Sequence, residues 1–344
     1  MAHDTTPEAI YEKLRAGAST LACAGYLASM DALHRSEIYN ALGYERLSRK
    51  NRDIRRFYEE CGNDWPQTTY LMLLRTIGTP ENKEPFTTLA RTVPYLSLIH
   101  ISVGSEMCIR DSTVPYAAIL RERLAPQNIE AMLIGASGLL EIYPHDEYIL
   151  SLWRNFEYLS AKYGIVPMRA SAWRLQRIRP NNFPILRLSQ IASFLASTRE
   201  VMDRLFACRS GRDVYELFSA ETSPYWLKHY IPGMESPAVT KRIGHMKCNL
   251  LAINLVAQMQ FAYGSYIERE ALRTSALSLL ENTDAEDNSI IRPWRQHGVT
   301  PQSAFDSQAL LQLSNEYCRR RRCSECPVGR RIALRLMQAV QTAE

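Results

Sequence analysis

This 344-residue sequence predicts an all-α fold, a multi-helix globular array with few or no strands. Three observations carry that expectation. Apolar residues recur at helical spacing over long stretches, start and stop signals bracket those stretches, and clean two-residue alternation is scarce. Ordinary helix lengths then give roughly ten to fourteen helices.

Thr6-Pro7-Glu8 reads as an N-cap, a proline at the first helical position and an acidic first turn. From Ser29 to Cys61, residues such as Ile38, Leu42, Ile54 and Tyr58 keep helical spacing, and Gly62 is placed to end the run. Asn63-Asp64-Trp65-Pro66 caps the next helix, which stops before Gly78. Asp146 to Tyr163 is amphipathic and closed by Gly164, and Phe183 to Leu195 follows the turn Arg179-Pro180-Asn181-Asn182. The stretch from Asn249 to Tyr263 is nearly all apolar and predicts the most buried helix of the protein. Glu268–Leu280, Asp306–Tyr317 and Arg331–Thr342 complete the set, with Asp306 or Ser307 as N-cap of the second of these.

A 46% hydrophobic, 22% charged chain of this length can bury a sizeable core, and with 15 Gly and 17 Pro it is neither low-complexity nor fibrous. No apolar run reaches the roughly 18 residues that span a bilayer, and the start MAHDTTPEAI has no signal-peptide pattern. A cytoplasmic protein with no membrane partner is therefore expected. The net charge of +5 is too mild to establish nucleic-acid binding by itself.

One segment reads as foreign. Thr92-Val93-Pro94-Tyr95 recurs as Thr113-Val114-Pro115-Tyr116, bracketing LSLIHISVGSEMCIRDS (Leu96–Ser112). A short direct repeat around an unrelated piece is the mark of an insertion, and the piece resembles translated sequencing-adapter sequence. His100 and Cys108 then carry no chemistry, and 96–112 should form an exposed excursion with few core contacts.

Of eight cysteines, three cluster as Cys318-x4-Cys323-x2-Cys326. A disulfide framework is not expected in a long cytosolic chain, whereas thiolates at this spacing can converge on Zn or an Fe–S centre. A fourth ligand must come from elsewhere in the chain or be water; Cys248 is the first expectation and His245 the second. Arg319, Arg320, Arg321, Arg322, Arg330 and Arg331 surround the cysteines and form a candidate phosphate-binding patch. Trp226 and His229 would share one face if YWLKHY were helical. Glu59-Glu60 and Glu281 to Asp287 supply carboxylates, but no spacing pairs them into an acid/base couple, and no nucleophilic triad or Gly-rich phosphate loop is readable.

The stretches NDW (63–65), EPFTTLAR (84–91), IEAMLIGASGLL (129–140), DEYILSLW (146–153), RPNNFPILRLSQIA (179–192), YWLKHY (225–230), NSII (288–291) and DSQALLQLSNEYCRRRRCSECPVG (306–329) together resemble the bacterial domain-of-unknown-function family DUF2851. The resemblance covers most of 45–335 and implies no established activity. It implies members with a longer N-terminal, β-rich, somewhat nuclease-like region, so that this chain would be N-terminally truncated and lack a further domain or partner protein. The expected organisation is an N-terminal arm at 1–28, a helical family domain at 29–335, a cysteine knuckle at 318–329 and a tail at 336–344. Two functions follow as expectations. One is a non-catalytic, nucleic-acid-associated accessory module with a C-terminal metal knuckle; the other is the helical half of a nucleic-acid-processing enzyme, its catalytic part missing here.

Overall fold

The computed structural model describes residues 6–18, 21, 23–103 and 115–341. Its helices, in chain order, are α1 (Pro7–Ala16), α2 (Ala24–Ser29), α3 (Ala32–Glu60), α4 (Trp65–Ile77), α5 (Lys83–Thr92), α6 (Tyr95–Val103), α7 (Pro115–Ala136), α8 (Glu147–Tyr163), α9 (Pro184–Ser197), α10 (Val201–Ala207), α11 (Gly211–Leu217), α12 (His245–Leu251), α13 (Ala257–Tyr266), α14 (Glu270–Glu281), α15 (Ile291–Gln296), α16 (Ala304–Gln312) and α17 (Pro327–Gln341). Among the described residues the strands are a single antiparallel pair, β1 (His229–Ile231) and β2 (Met234–Glu235). The fold is all-α.

Local chemistry explains the boundaries. Asp64 accepts the Gln67 amide at 3.0 Å, and Asp146 accepts the Ile149 amide at 2.9 Å, each satisfying an orphan donor of the first turn. Gly62 and Gly164 follow α3 and α8 with φ of 69° and 65°, the left-handed conformation that ends a helix. Three sequence expectations need correction. Ser303, not Asp306 or Ser307, caps α16; Asp306 sits three residues on, where its amide donates to Ser303 Oγ and its carboxylate accepts the Gln302 amide. Helix α17 starts at Pro327 rather than at Arg331, because proline is favoured in a first turn that needs no amide. His229 does not continue a helix with Trp226: a single 3-10 turn, Pro224–Leu227, leads into β1.

The chain divides into two units, 1–53 with 261–344, and 54–260. In the second, α7 packs against α8 and α9, and α4 against α5. Ile129, Ala131, Met132, Leu133 and Ile134 of α7 are all buried. Gly138 ends this segment at φ 75°, where an added Cβ would lie 2.1 Å from the Met168 carbonyl oxygen, so only glycine fits. From Leu251 to Ala262 every residue except Asn254 is buried, as the apolar run predicts, and a π-helical turn at Ala252–Val256 joins α12 to α13.

In the first unit, α16 crosses α3 closely enough that a Cβ on Gly43 would sit 2.5 Å from the Phe305 ring. Buried Arg46 donates to Gln308, which in turn donates to Glu286. Trp294 Nε1 donates to Ser314 Oγ at 2.8 Å. A π-helical segment, Leu313–Cys318, then carries the chain out of α16, and α1 packs on α17.

The first TVPY copy is built into the second unit. Val93 is buried, the Tyr95 amide donates to Gln67 Oε1 at 2.7 Å, and the Tyr95 ring stacks on Tyr70. The expected exposed excursion is only partly found: Leu96 is 60% exposed, but Leu98 of the same helix is 2% exposed. Cys108 and the His100 side chain lie outside the described residues.

Candidate metal centre

The π-helical segment that follows α16 places Cys318 at its end, and contacts along α3 hold it there. Tyr317 OH donates to Glu45 at 2.8 Å, and Arg49 pairs with Glu316 at 3.7 Å. The intervening loop turns back on itself through Arg321, at φ 52°, with the Arg321 amide donating to the Cys318 carbonyl. The Cys326 amide donates to the Arg322 carbonyl, closing the turn that carries Cys323 and Cys326. Gly329 lies so close beneath it that a Cβ there would be 2.2 Å from the Cys323 carbonyl oxygen.

Cys318, Cys323 and Cys326 therefore line one small pocket, and the fourth cysteine in it is Cys23. Leu14 and Ala18 from the N-terminal arm, with Tyr317 and Gly329, complete the wall. The Cys318 thiol donates to the Cys23 sulfur, which lowers the Cys23 pKa and raises that of Cys318. Burial raises Cys323 and pushes Cys326 up to about 11, although the Val328 and Gly329 amides donate to the Cys326 sulfur and oppose the shift. Among the described residues no group of three or more His, Cys, Asp or Glu side chains is disposed to hold a single metal ion as it stands.

Sequence reasoning missed Cys23. The expected fourth ligands, Cys248 and His245, belong to the 54–260 unit and are not among the residues that line this pocket. Cys248 is fully buried, its thiol donates to the Ile243 carbonyl, and burial pushes its pKa up to about 12. The His245 ring stacks on Tyr215 at 3.7 Å.

The arginine patch is partly spent on local pairs. Arg320 pairs with Glu316, Arg322 with Glu325 and Arg331 with Glu37, while Arg330 donates to the Ser324 carbonyl. Arg319 and Arg321 are exposed and have no carboxylate partner among the described residues. The other carboxylates singled out are also in use: Glu60 pairs with Arg91, and Asp287 with Arg292 and Arg295.

A second polar site, also missed, lies in the 54–260 unit. Glu130 is the lone charged residue in the buried run of α7 and is 3% exposed. Trp226 Nε1 donates to its Oε1 at 2.6 Å and Tyr148 OH to its Oε2 at 2.7 Å. Tyr148 also meets Ser223 Oγ at 2.6 Å and stacks on Tyr225, whose hydroxyl donates to Asp146. Burial raises the Glu130 pKa against the pull of these donors. Glu130, Tyr148 and Ser223 form part of the wall of a cavity of about 1020 Å³ that also presents Arg204 and Asp213. A lone carboxylate inside IEAMLIGA was the available sequence signal.

Among the described residues no helix is long and apolar enough to cross a membrane. Comparison with curated proteins and with solved structures gives no match. A family model described as "Protein of unknown function (DUF2851)" matches residues 3–109 and 104–289, and the two matched segments meet within Leu96–Ser112. With matches covering most of its length, the chain belongs to the DUF2851 family.

Proposed function

We propose that this chain is a helical accessory module built around a thiolate metal centre, with Cys318, Cys323 and Cys326 as ligands from the C-terminal knuckle and Cys23 as the fourth. One observation carries the reading: Cys23, far away in sequence, lines the same pocket as the clustered three. Soft thiolates in a closed set of four suit Zn²⁺ or an Fe–S centre and no hard cation. The metal's contribution is to fold, since it ties the N-terminal arm to the knuckle that precedes α17. Arg319 and Arg321, exposed and without a carboxylate partner among the described residues, support a further role, salt-sensitive contact with nucleic-acid phosphates.

Elemental analysis of the purified full chain tests the centre. A thiophilic metal is expected in the protein, with all four cysteines shielded from alkylation. Less than about 0.1 equivalent of zinc or iron, with those cysteines freely alkylated in the folded state, contradicts it. For the phosphate role, binding to nucleic acid should weaken steeply with salt and lose slope in R319Q/R321Q.

The Glu130 cavity favours a second reading, that the chain is the helical part of a nucleic-acid-processing enzyme. A buried carboxyl with a raised pKa beside a tyrosine, opening on a large cavity, is a recurrent feature of functional sites. The test is nucleic-acid cleavage that E130Q abolishes without altering the fold.

We also infer that Leu96–Ser112 is no part of the working module. Deleting 96–116, which rejoins Tyr95 to Ala117 and keeps the seated Thr92–Tyr95 copy, should leave the urea midpoint unchanged or raise it. A loss of more than about 2 kcal/mol, the scale of burying one leucine, would show that Leu98 belongs to the core.

A further inference from the structure

We propose that the exposed arginines of the loop 165–183, in the 54–260 unit, form a binding surface for single-stranded nucleic acid. The surface shares no residue with the cysteine centre or with Arg319 and Arg321. Charge is the first argument. Between Glu157 and Glu200 the chain holds six Arg and one Lys and no Asp or Glu, so this stretch carries more positive charge than the net +5 of the whole chain. Arg169, Arg174, Arg177 and Arg179 are all exposed, and none has a side-chain partner among the described residues. Arg91, Arg212 and Arg242 of the same unit are by contrast paired, with Glu60, Glu216 and Glu221. Glu81 acts on two buried cations, Arg187 and Lys247, so its charge is already offset. Unmatched surface charge of this kind attracts phosphate.

Preorganisation is the second argument. The Met168 amide donates to the Ala136 carbonyl at 2.8 Å. Trp173 is buried, its Nε1 donates to the Ser137 carbonyl at 2.8 Å, and its ring meets Phe86 edge-on. Buried Asn82 holds the next residue from both sides: the Arg174 amide donates to its Oδ1 at 2.8 Å, and its Nδ2 donates to the Arg174 carbonyl at 3.0 Å. Further on, Arg187 donates to Asn182 Oδ1 at 2.8 Å. Arg177 takes a φ of 56°, the left-handed conformation that is uncommon for such a side chain. A loop tied down in this way presents its arginines without first having to be ordered, which removes part of the entropic cost of binding.

Shape and chemistry are the third. Arg174 and Arg177, with Ser171 and Gln176, line an open concavity of about 670 Å³, room for an unstacked nucleotide. Glu141, which precedes Ile142 of the wall, is the one carboxylate adjacent in sequence to a lining residue. The planar fork of arginine grips phosphate oxygens with two N–H groups, and its face stacks on a base. Exposed Gln176 and Asn181 add amides that can donate to and accept from base edges. Stacking and edge contacts of this kind need bases free of their partners, which points to a single strand rather than a duplex. An anionic membrane fits less well, because membrane surfaces are bound by amphipathic helices and this loop holds 3-10 turns of three residues, Ala170–Ala172 and Pro180–Asn182.

The test is fluorescence anisotropy of the full chain with labelled single-stranded oligonucleotides of about 16 nucleotides, as DNA and as RNA, over a salt series. At least one should bind, more weakly as salt rises. R174Q/R177Q should weaken that binding about tenfold or more and flatten the salt slope by about 0.7 for each arginine removed. Both side chains are exposed, so the urea midpoint of the variant should match that of the wild type; should R174Q/R177Q fail to fold, R169Q/R179Q replaces it. Full binding by R174Q/R177Q together with loss in R319Q/R321Q overturns this surface and leaves the phosphate role of Arg319 and Arg321 standing. Tighter binding of the same sequence as a duplex overturns the single-strand assignment. Equal or tighter binding to polyglutamate or to phosphatidylserine vesicles, lost in R174Q/R177Q, overturns nucleic acid in favour of an acidic protein or a membrane. No oligonucleotide bound overturns this surface and the phosphate role of Arg319 and Arg321 alike.

Discussion

Replacing Glu130 by alanine should lower the unfolding free energy by about 2–4 kcal/mol, and replacing it by glutamine by no more than about 1 kcal/mol. The difference follows from what each variant leaves behind. Alanine strands the Trp226 indole N–H, which is fully buried and donates to Glu130, while Tyr148 retains Ser223. Glutamine keeps an acceptor in place and carries no charge, which is the state burial already favours for this carboxyl. The pH dependence has a definite sign. The folded-state pKa of Glu130 is raised, so its contribution is fully present below the unfolded carboxylate value, about 4.3, and is lost as pH rises through the folded value. The stability of the wild type relative to E130Q should therefore fall as pH rises from about 4 toward neutrality. Denaturant titrations of both proteins across that range measure it; a difference that is flat or grows with pH would mean that Glu130 is ionised in the fold.

Leu255→Ala should cost about 2–5 kcal/mol. Leu255 is fully buried in a segment that is covered on nearly every face, so the deleted methyl groups leave a cavity with no rim from which solvent or a loop can fill it. The π-helical turn at Ala252–Val256 contains this residue, and local relaxation of that turn is the one route by which the cost could approach the lower end. A loss under about 0.5 kcal/mol in a urea titration would contradict central burial of this helix.

Helix ends were legible wherever one residue type answers one physical need. Asp64 and Asp146 satisfy free amides, and Gly62 and Gly164 take a left-handed conformation. Errors arose where two residues could serve. Ser303 and Asp306 both suit an N-cap; Ser303 takes that place by accepting the Asp306 amide, while the Asp306 carboxylate reaches back to the Gln302 amide. For YWLKHY, local spacing allowed a helix, but Pro224 and the turn at Gly233, with φ of 76°, set up a 3-10 turn and a strand pair instead. Three of the four cysteines of the candidate centre were readable, because Cys318, Cys323 and Cys326 are neighbours in sequence. Cys23 was not, since nothing local distinguishes it from Cys61 or Cys248, and its role depends on α1 folding back onto α17. Glu130 carried a signal in its apolar surroundings, yet its donors Tyr148 and Trp226 come from separate segments that only the fold brings together.

X-ray absorption at the edge of whatever metal purifies with the chain tests the proposed four-thiolate centre most directly, because it reads the ligand atoms themselves. A first shell of sulfur alone at about 2.3 Å is expected, and it should be lost when Cys23 and Cys318 are both replaced by serine. A shell of oxygen or nitrogen, or a sulfur shell that survives in that double variant, would contradict the assignment of Cys23, Cys318, Cys323 and Cys326 as the metal's ligands.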